Sequence, residues 1–280
     1  MTPGIGLALG AMLCFGVGDL IYKRAAASGA DPGQFIMLQA WAYCPAITLY
    51  AWMTGTLEPH ISALWGSLAG LFSLVAFYNF ARSLQGGAVS TNAPIFRLNF
   101  TLTAALAVLL LGETLTPAKI AALACALLAV WLLLAEPGAA RPNMRALARV
   151  LVATAALGLA NLFLKFGLRA GALPETMVTT QAWAFSSTAT LMILLRDRRL
   201  RLAPAVWRFS VPAAITLVVA FVLLMHALAL GAVSVLAPVT QMSFVFTAIV
   251  GTALFGETLN WRKRFGLVAG VASLALFAVS

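Results

Sequence analysis

Apolar residues run along this chain in stretches of about 20, each ended by a Pro, a Gly or a knot of charge. Ten stretches stand out, near residues 3–24, 33–54, 61–84, 88–111, 117–135, 147–170, 175–195, 206–230, 232–255 and 261–279. A helix needs about 20 residues to cross the hydrocarbon of a bilayer. The pattern therefore predicts an all-α membrane protein with ten transmembrane helices. Most connections are very short, so consecutive helices are expected to be antiparallel neighbours. The exception is EPGAARPNMRAL at 136–147, which carries two prolines and a change of composition. It marks the expected division: a first repeat at 1–136, a central loop at 137–146 and a second repeat at 147–280.

The two sides of that loop say nearly the same thing. QAWAY at 39–43 returns as QAWAF at 181–185. At an offset of 142, ten of the 29 residues in 15–43 are identical to their partners in 157–185. At an offset of 144, fourteen of the 29 in 87–115 match those in 231–259, including GAVS and GETL. A bias toward Ala and Leu does not generate matched Trp, Gln, Pro and Glu, so the chain is read as a tandem duplication. Five spans per half is an odd number, which makes the second half enter the membrane from the opposite side. The expected architecture is an inverted repeat, as in many secondary transporters.

Composition agrees with the pattern. Hydrophobic residues make up 62% of the chain and charged ones 9%, against about 25% charged in a typical soluble domain. The net charge of +10 does not point to nucleic acid, because the basic residues sit in short clusters between apolar runs. Fourteen of the 18 Lys and Arg fall on loops 1–2, 3–4, 5–6, 7–8 and 9–10. Only Lys119, Lys165 and Arg169 fall on the other side, and Arg97 lies within a span. The positive-inside rule then places both termini outside the cytoplasm, in a multi-pass protein of a bacterial-type inner membrane. The N-terminus has no basic residue before its apolar stretch and reads as a retained span, not a cleaved signal. Cys14, Cys44 and Cys125 lie in apolar runs with no CxxC pair, so neither a metal site nor a disulfide framework is expected. HExxH, GxSxG and nucleotide-binding glycine loops are absent, and two His and eight acids, mostly in loops, build no catalytic constellation. No enzyme activity and no cofactor are expected. The expected partners are the lipid bilayer and a small-molecule solute; the oligomeric state is left open, a monomer being plausible.

Arg97 is the sharpest candidate, about midway along the fourth span. A charge at that depth costs about 3 kcal/mol and normally faces the bundle interior or a watery cavity. Ser90, Pro94, Arg97 and Thr101 share one helical face; the repeat places Ser234, Pro238, Gln241 and Val245 on the equivalent face. A guanidinium there could hold a substrate carboxylate through two hydrogen bonds. The alternative is a structural Arg satisfied by helix carbonyls or by Asp19. Pro94 and Pro238 are candidate hinges. Tyr78 and Asn79 on the third span could stack on and hydrogen-bond a solute, or belong to an interfacial aromatic belt. Gln39 and Gln181 are expected to point inward and bond other helices. Trp41 and Trp183, beside them, either line the pathway or pack the halves together. Asp19 lies four residues before Lys23, a spacing that suits an ion pair. Glu113 and Glu257, in the GETL turns, are expected to cap or brace the helices that follow. His226 aligns with Arg82 and is either a packed residue or a proton relay.

Ten spans in two halves of five, each with a proline-bearing fourth helix and a G-E-x-L turn before the fifth, resemble the drug/metabolite transporter superfamily, and within it the EamA-domain family. Lys23 and Lys165 near the ends of each first helix are similar to the family's pattern. Length and span number resemble the YddG-type exporters of amino acids. The resemblance implies a secondary transporter that exports small solutes, amino acids foremost, by alternating access around a central cavity. Other metabolites and hydrophobic drugs are the alternative cargo. In the related small multidrug resistance pumps a carboxylate in the first helix couples transport to protons. Asp19 is the comparable acid here, though its repeat partner Asn161 cannot titrate.

Overall fold

The computed structural model describes residues 3–86, 95–134, 143–197, 204–243, 245–246, 250 and 261–278. Among them the chain forms ten α-helices and one 3-10 turn. The first half contributes α1 (Pro3–Ala27), α2 (Pro32–Met53), α3 (Leu64–Gly86), α4 (Asn99–Leu111) and α5 (Pro117–Leu134). The second contributes α6 (Met144–Arg169), α7 (Pro174–Asp197), α8 (Pro204–Leu230), α9 (Val233–Gln241) and α10 (Trp261–Ala278). Four of these, by length and composition alone, are long and apolar enough to cross a membrane: Gly4–Tyr22, Ile61–Ser83, Met144–Arg169 and Val206–Leu230. Residues 137–142 of the central loop, and residues 135 and 136 before it, lie outside the described residues.

Local chemistry sets the helix ends. Asp31 accepts from the Gln34 backbone N–H as N-cap of α2, and Pro32 follows at the first helical position. Asn143 caps α6 in the same way through the Arg145 N–H. Gly112 closes α4 in the left-handed region, φ 65°, where other residues are strained.

The fourth and ninth stretches, each with a candidate hinge proline, are interrupted among the described residues. Ile95–Arg97 make a helical turn, the Leu98 N–H bonds only three residues back to the Ile95 carbonyl, and α4 begins at Asn99. In the second half, α9 stops at Gln241 and Met242 forms a turn. Leu98 and Met242 are equivalent at the offset of 144, and each lies four residues after a proline of the sequence. The Met242 N–H is shared between the Pro238 and Val239 carbonyls, a tightening that spoils the regular ladder.

Helices pack mainly on those of the other half. The chief pairs are α3 with α6, α1 with α8, α3 with α7, α2 with α8, α4 with α6 and α1 with α9, together with α2–α7, α4–α9 and α5–α10. Replacing each helix by its counterpart five places away turns this pattern into itself. Single contacts obey the same exchange: Gly16 on α1 faces Phe246, and its equivalent Gly158 on α6 faces Leu102. α3 crosses α7 closely. A Cβ on Gly66 would collide with Thr180 Oγ1 and the Met177 carbonyl, and one on Gly70 with the Gln181 carbonyl. Two glycines four apart let the backbones touch, the usual device where lipid removes any hydrophobic drive between helices.

Candidate functional site

The two helix breaks bring their polar residues together. Arg97, on the last turn before Leu98, ion-pairs with Asp19 of α1. Its other amino group donates to Gln241 Oε1 at 3.2 Å, and Asn99 Nδ2 donates to the same oxygen at 3.3 Å. Ser243 Oγ donates to Asp19 Oδ2 at 3.4 Å. Four of these five groups thus come from the residues that flank Leu98 and Met242. Where a helix stops, side chains can meet across the gap at a spacing an unbroken helix would forbid. The cluster is neutral overall, and the Arg97 side chain is only 11% exposed.

Beside it lies a narrow cavity between α1, α2, α3, α7 and α8. Its enclosed part holds about 50 Å³ for the centres of water-sized molecules, within about 460 Å³ of empty space counting its open mouth. Its walls are repeat-related pairs: Gln39 with Gln181, Ala40 with Ala182 and Tyr43 with Phe185 at the offset of 142, and Ser73 with Leu217 and Phe77 with Phe221 at 144. Tyr22 and Ile36 complete the lining, and none of the lining residues carries a formal charge. The cavity therefore sits where the two halves meet. Tyr22 lies three residues, one turn, after Asp19 on α1. Its hydroxyl donates to Gln39 Oε1, which leaves Gln39 Nε2 without a partner. Gln181 Nε2 donates to Ser73 Oγ at 3.0 Å, and its Oε1 is likewise left over. The Tyr43 hydroxyl is a third buried polar group without a partner. Orphaned polar atoms are rare in folded interiors, because each costs about 1–3 kcal/mol. Three around one cavity single it out.

Away from the basic loops, charged groups tie helix ends. Glu113 accepts from the Val233 and Ser234 backbone N–H groups, both at 2.9 Å. It caps α9 of the other half; the sequence had led to the helix following Glu113, but the fold brings a bare helix N-terminus to it instead. Lys165 donates to the Leu228 carbonyl and, at 2.8 Å, to that of Gly231, and Arg169 to the Leu111 carbonyl at 2.8 Å. Burial pushes the Glu113 carboxyl up, but the Ser234 and Val233 donors and the Lys165 charge outweigh it, and the carboxyl is held below its usual range. A depressed folded value means stability present at neutral pH and lost as acid protonates the carboxylate in the folded state. Glu113→Gln is therefore expected to cost on the order of 1 kcal/mol at pH 7, and to remove part of the wild-type loss of thermal stability on acidification. Melting curves across that range check it; parallel profiles for wild type and variant refute it.

The structure sorts the sequence candidates. It joins Arg97, Gln241 and Asp19, and gives Asp19 the partner Arg97; the expected partner Lys23 has its side chain outside the described residues. Tyr78 and Asn79 do not line the cavity: Arg82 lies over the Tyr78 ring at 6.0 Å, and Asn79 Nδ2 bonds back to the Val75 carbonyl. Ser73 and Phe77, on the same helix, take that place. Trp41 Nε1–H donates to Thr190 Oγ1 at 2.7 Å, tying α2 to α7. Trp183 is 56% exposed and stands apart from the cavity. His226 contacts Glu175 at 3.0 Å and the Val222 carbonyl at 2.9 Å. Pro238 is buried within α9. Pro94 and Glu257 lie outside the described residues. Sequence reasoning passed over Tyr22, Tyr43, Ser73, Phe77, Phe185, Leu217 and Phe221 as cavity residues. The repeat held the signal: Tyr43 with Phe185 and Phe77 with Phe221 conserve an aromatic ring across the halves.

The model of the EamA-like transporter family matches residues 2–135 and again 144–279. No curated protein matches the chain by sequence. A solved crystal structure, described only as that of a protein, superposes with a TM-score of 0.80. The match covers 99% of this chain and 96% of that one, at 16% identity, which speaks to fold alone.

Proposed function

Because the chain belongs to the EamA-like transporter family, a family of transporters rather than enzymes, we propose that this multi-pass membrane protein is a secondary transporter that exports small organic solutes by alternating access. The observation that carries the reading is the cavity walled by repeat-related residues, with the two broken helices beside it. Broken helices at a repeat interface are the usual ground plan of solute sites in secondary transporters. Five helices per half, exchanged as pairs in the packing, support ten crossings with the halves inverted. Rocking one half against the other would move the cavity's opening from side to side, with Leu98 and Met242 as the points of bending. The basic loops favour a bacterial-type inner membrane with both termini non-cytoplasmic.

Amino acids, aromatic ones first, are the proposed cargo: the rings of Tyr22, Tyr43, Phe77, Phe185 and Phe221 suit a flat apolar side chain. The ion pair changes the part assigned to Arg97. Its charge is already met by Asp19, so it braces the site instead of standing free for a carboxylate. The same pairing favours gradient-following export over proton coupling. The test is counterflow in proteoliposomes holding the purified protein, with a panel of labelled amino acids, with and without a pH gradient. Trapped unlabelled solute is expected to accelerate uptake of the labelled one, with little effect of the gradient. Uptake that ignores trapped solute would mark a channel.

A further inference from the structure

We infer that Gln39 and Gln181 form a two-amide clamp that selects solutes with no net charge, binding a hydrogen-bond acceptor and a donor carried close together on a flat apolar body. The inference rests on the transporter reading above and narrows its cargo.

Each glutamine is at least 95% buried, Gln39 at 4% and Gln181 at 5% exposed, and both line the cavity. Each spends one end of its amide on a neighbouring hydroxyl: Gln39 on Tyr22, Gln181 on Ser73. That bond orients the amide and leaves its other end unpartnered, the Nε2 donor of Gln39 and the Oε1 acceptor of Gln181. The two residues are repeat equivalents at an offset of 142, so they approach the cavity as a related pair from α2 and α7. The repeat is broken around them, because Tyr22 and Ser73 align with Leu164 and Leu217, which offer no hydroxyl. The hydroxyls thus serve to fix the amides. With no formal charge in the lining, a lone cation or anion would be desolvated without a counter-charge. A molecule bringing its own acceptor and donor satisfies both amides, while its body meets the aromatic walls. Two kinds of solute have that chemistry: uncharged aryl amides and zwitterionic aromatic amino acids.

Four probes sharing a phenyl ring separate the cases: phenylalanine, cinnamamide, 3-phenylpropionate and phenethylamine. Binding is read as thermal stabilisation of the purified full-length protein, and transport as counterflow. Phenylalanine, cinnamamide or both are expected to raise the melting temperature, and the anion and the cation to leave it unchanged. Which of the neutral probes acts names the source. Gln39→Leu and Gln181→Leu should each weaken that response at least tenfold; because Gln39→Leu also takes the acceptor from the Tyr22 hydroxyl, Tyr22→Phe with Gln39→Leu, which removes both partners, is the variant expected to melt near the wild-type temperature. Gln181→Glu should admit phenethylamine, a switch that a merely structural glutamine would not produce. Equal binding of the charged probes, unchanged binding by the Leu variants, or no response to any probe would overturn the clamp. Counterflow of some other solute would leave the transporter reading standing in that event, whereas its absence across the wider panel would end both.

Discussion

Arg97→Ala is expected to lower the melting temperature by several degrees and to abolish transport. The substitution leaves Asp19 without the guanidinium that neutralises it and withdraws one of the two donors on Gln241 Oε1. Breaking a buried pair from one side costs about 3–5 kcal/mol. The Asp19 side chain is 33% exposed, so about 2–4 kcal/mol is the expectation after allowing for screening. The loss is asymmetric. Asp19→Asn with Arg97→Gln together remove both charges while leaving polar groups that can still hydrogen-bond, and should recover most of the stability. A melt of Arg97→Ala within 1 °C (roughly half a kcal/mol or less for a chain of this size) of the wild type would show that Arg97 is not the brace of the two helix breaks.

The second large effect is expected at Gly70, a residue with no side chain to take part in any chemistry. A methyl group there meets the Gln181 carbonyl, Ala184 Cβ and the Phe185 nitrogen, all on α7. Backbone cannot swing aside as a side chain can, so α3 and α7 must separate. Gly70→Ala should cost about 1–3 kcal/mol, the range for forced overpacking. Transport should fall at least tenfold, because Gln181 and Phe185 are cavity walls. Gly6→Ala is the matched control: nothing lies within 4 Å of its added Cβ, and the change should be neutral or slightly stabilising. Equal behaviour of the two variants would refute the close crossing.

How much of this could be read in advance differs from element to element. Helix positions follow from runs of apolar residues and their Pro and Gly punctuation, which are local. Arg97 drew attention because a charge within an apolar run is costly wherever it points. Its partner stayed open between a substrate carboxylate, helix carbonyls and Asp19, and only the packing of α1 beside the broken fourth helix chooses Asp19. Glu113 shows the same limit. Its turn and its neighbour α5 are adjacent in sequence, yet the bare N–H groups nearest in space belong to α9, 120 residues away. Tyr78 misled because Phe77, Tyr78 and Asn79 point in different directions around α3, and periodicity alone did not say which direction faced the cavity.

The sequence by itself determined that the chain lives in lipid, that its elements are helices, and that five of them occur twice with the same landmarks. Those properties depend on transfer free energies and on near-neighbour patterns, which a string of residues carries in full. Only the tertiary structure decided where the fourth helices break, which charge meets which, and which amides face empty space. The charge contacts join residues some 80 to 220 positions apart, and the amides are held by neighbours 17 and 108 positions away, all set by how ten cylinders pack.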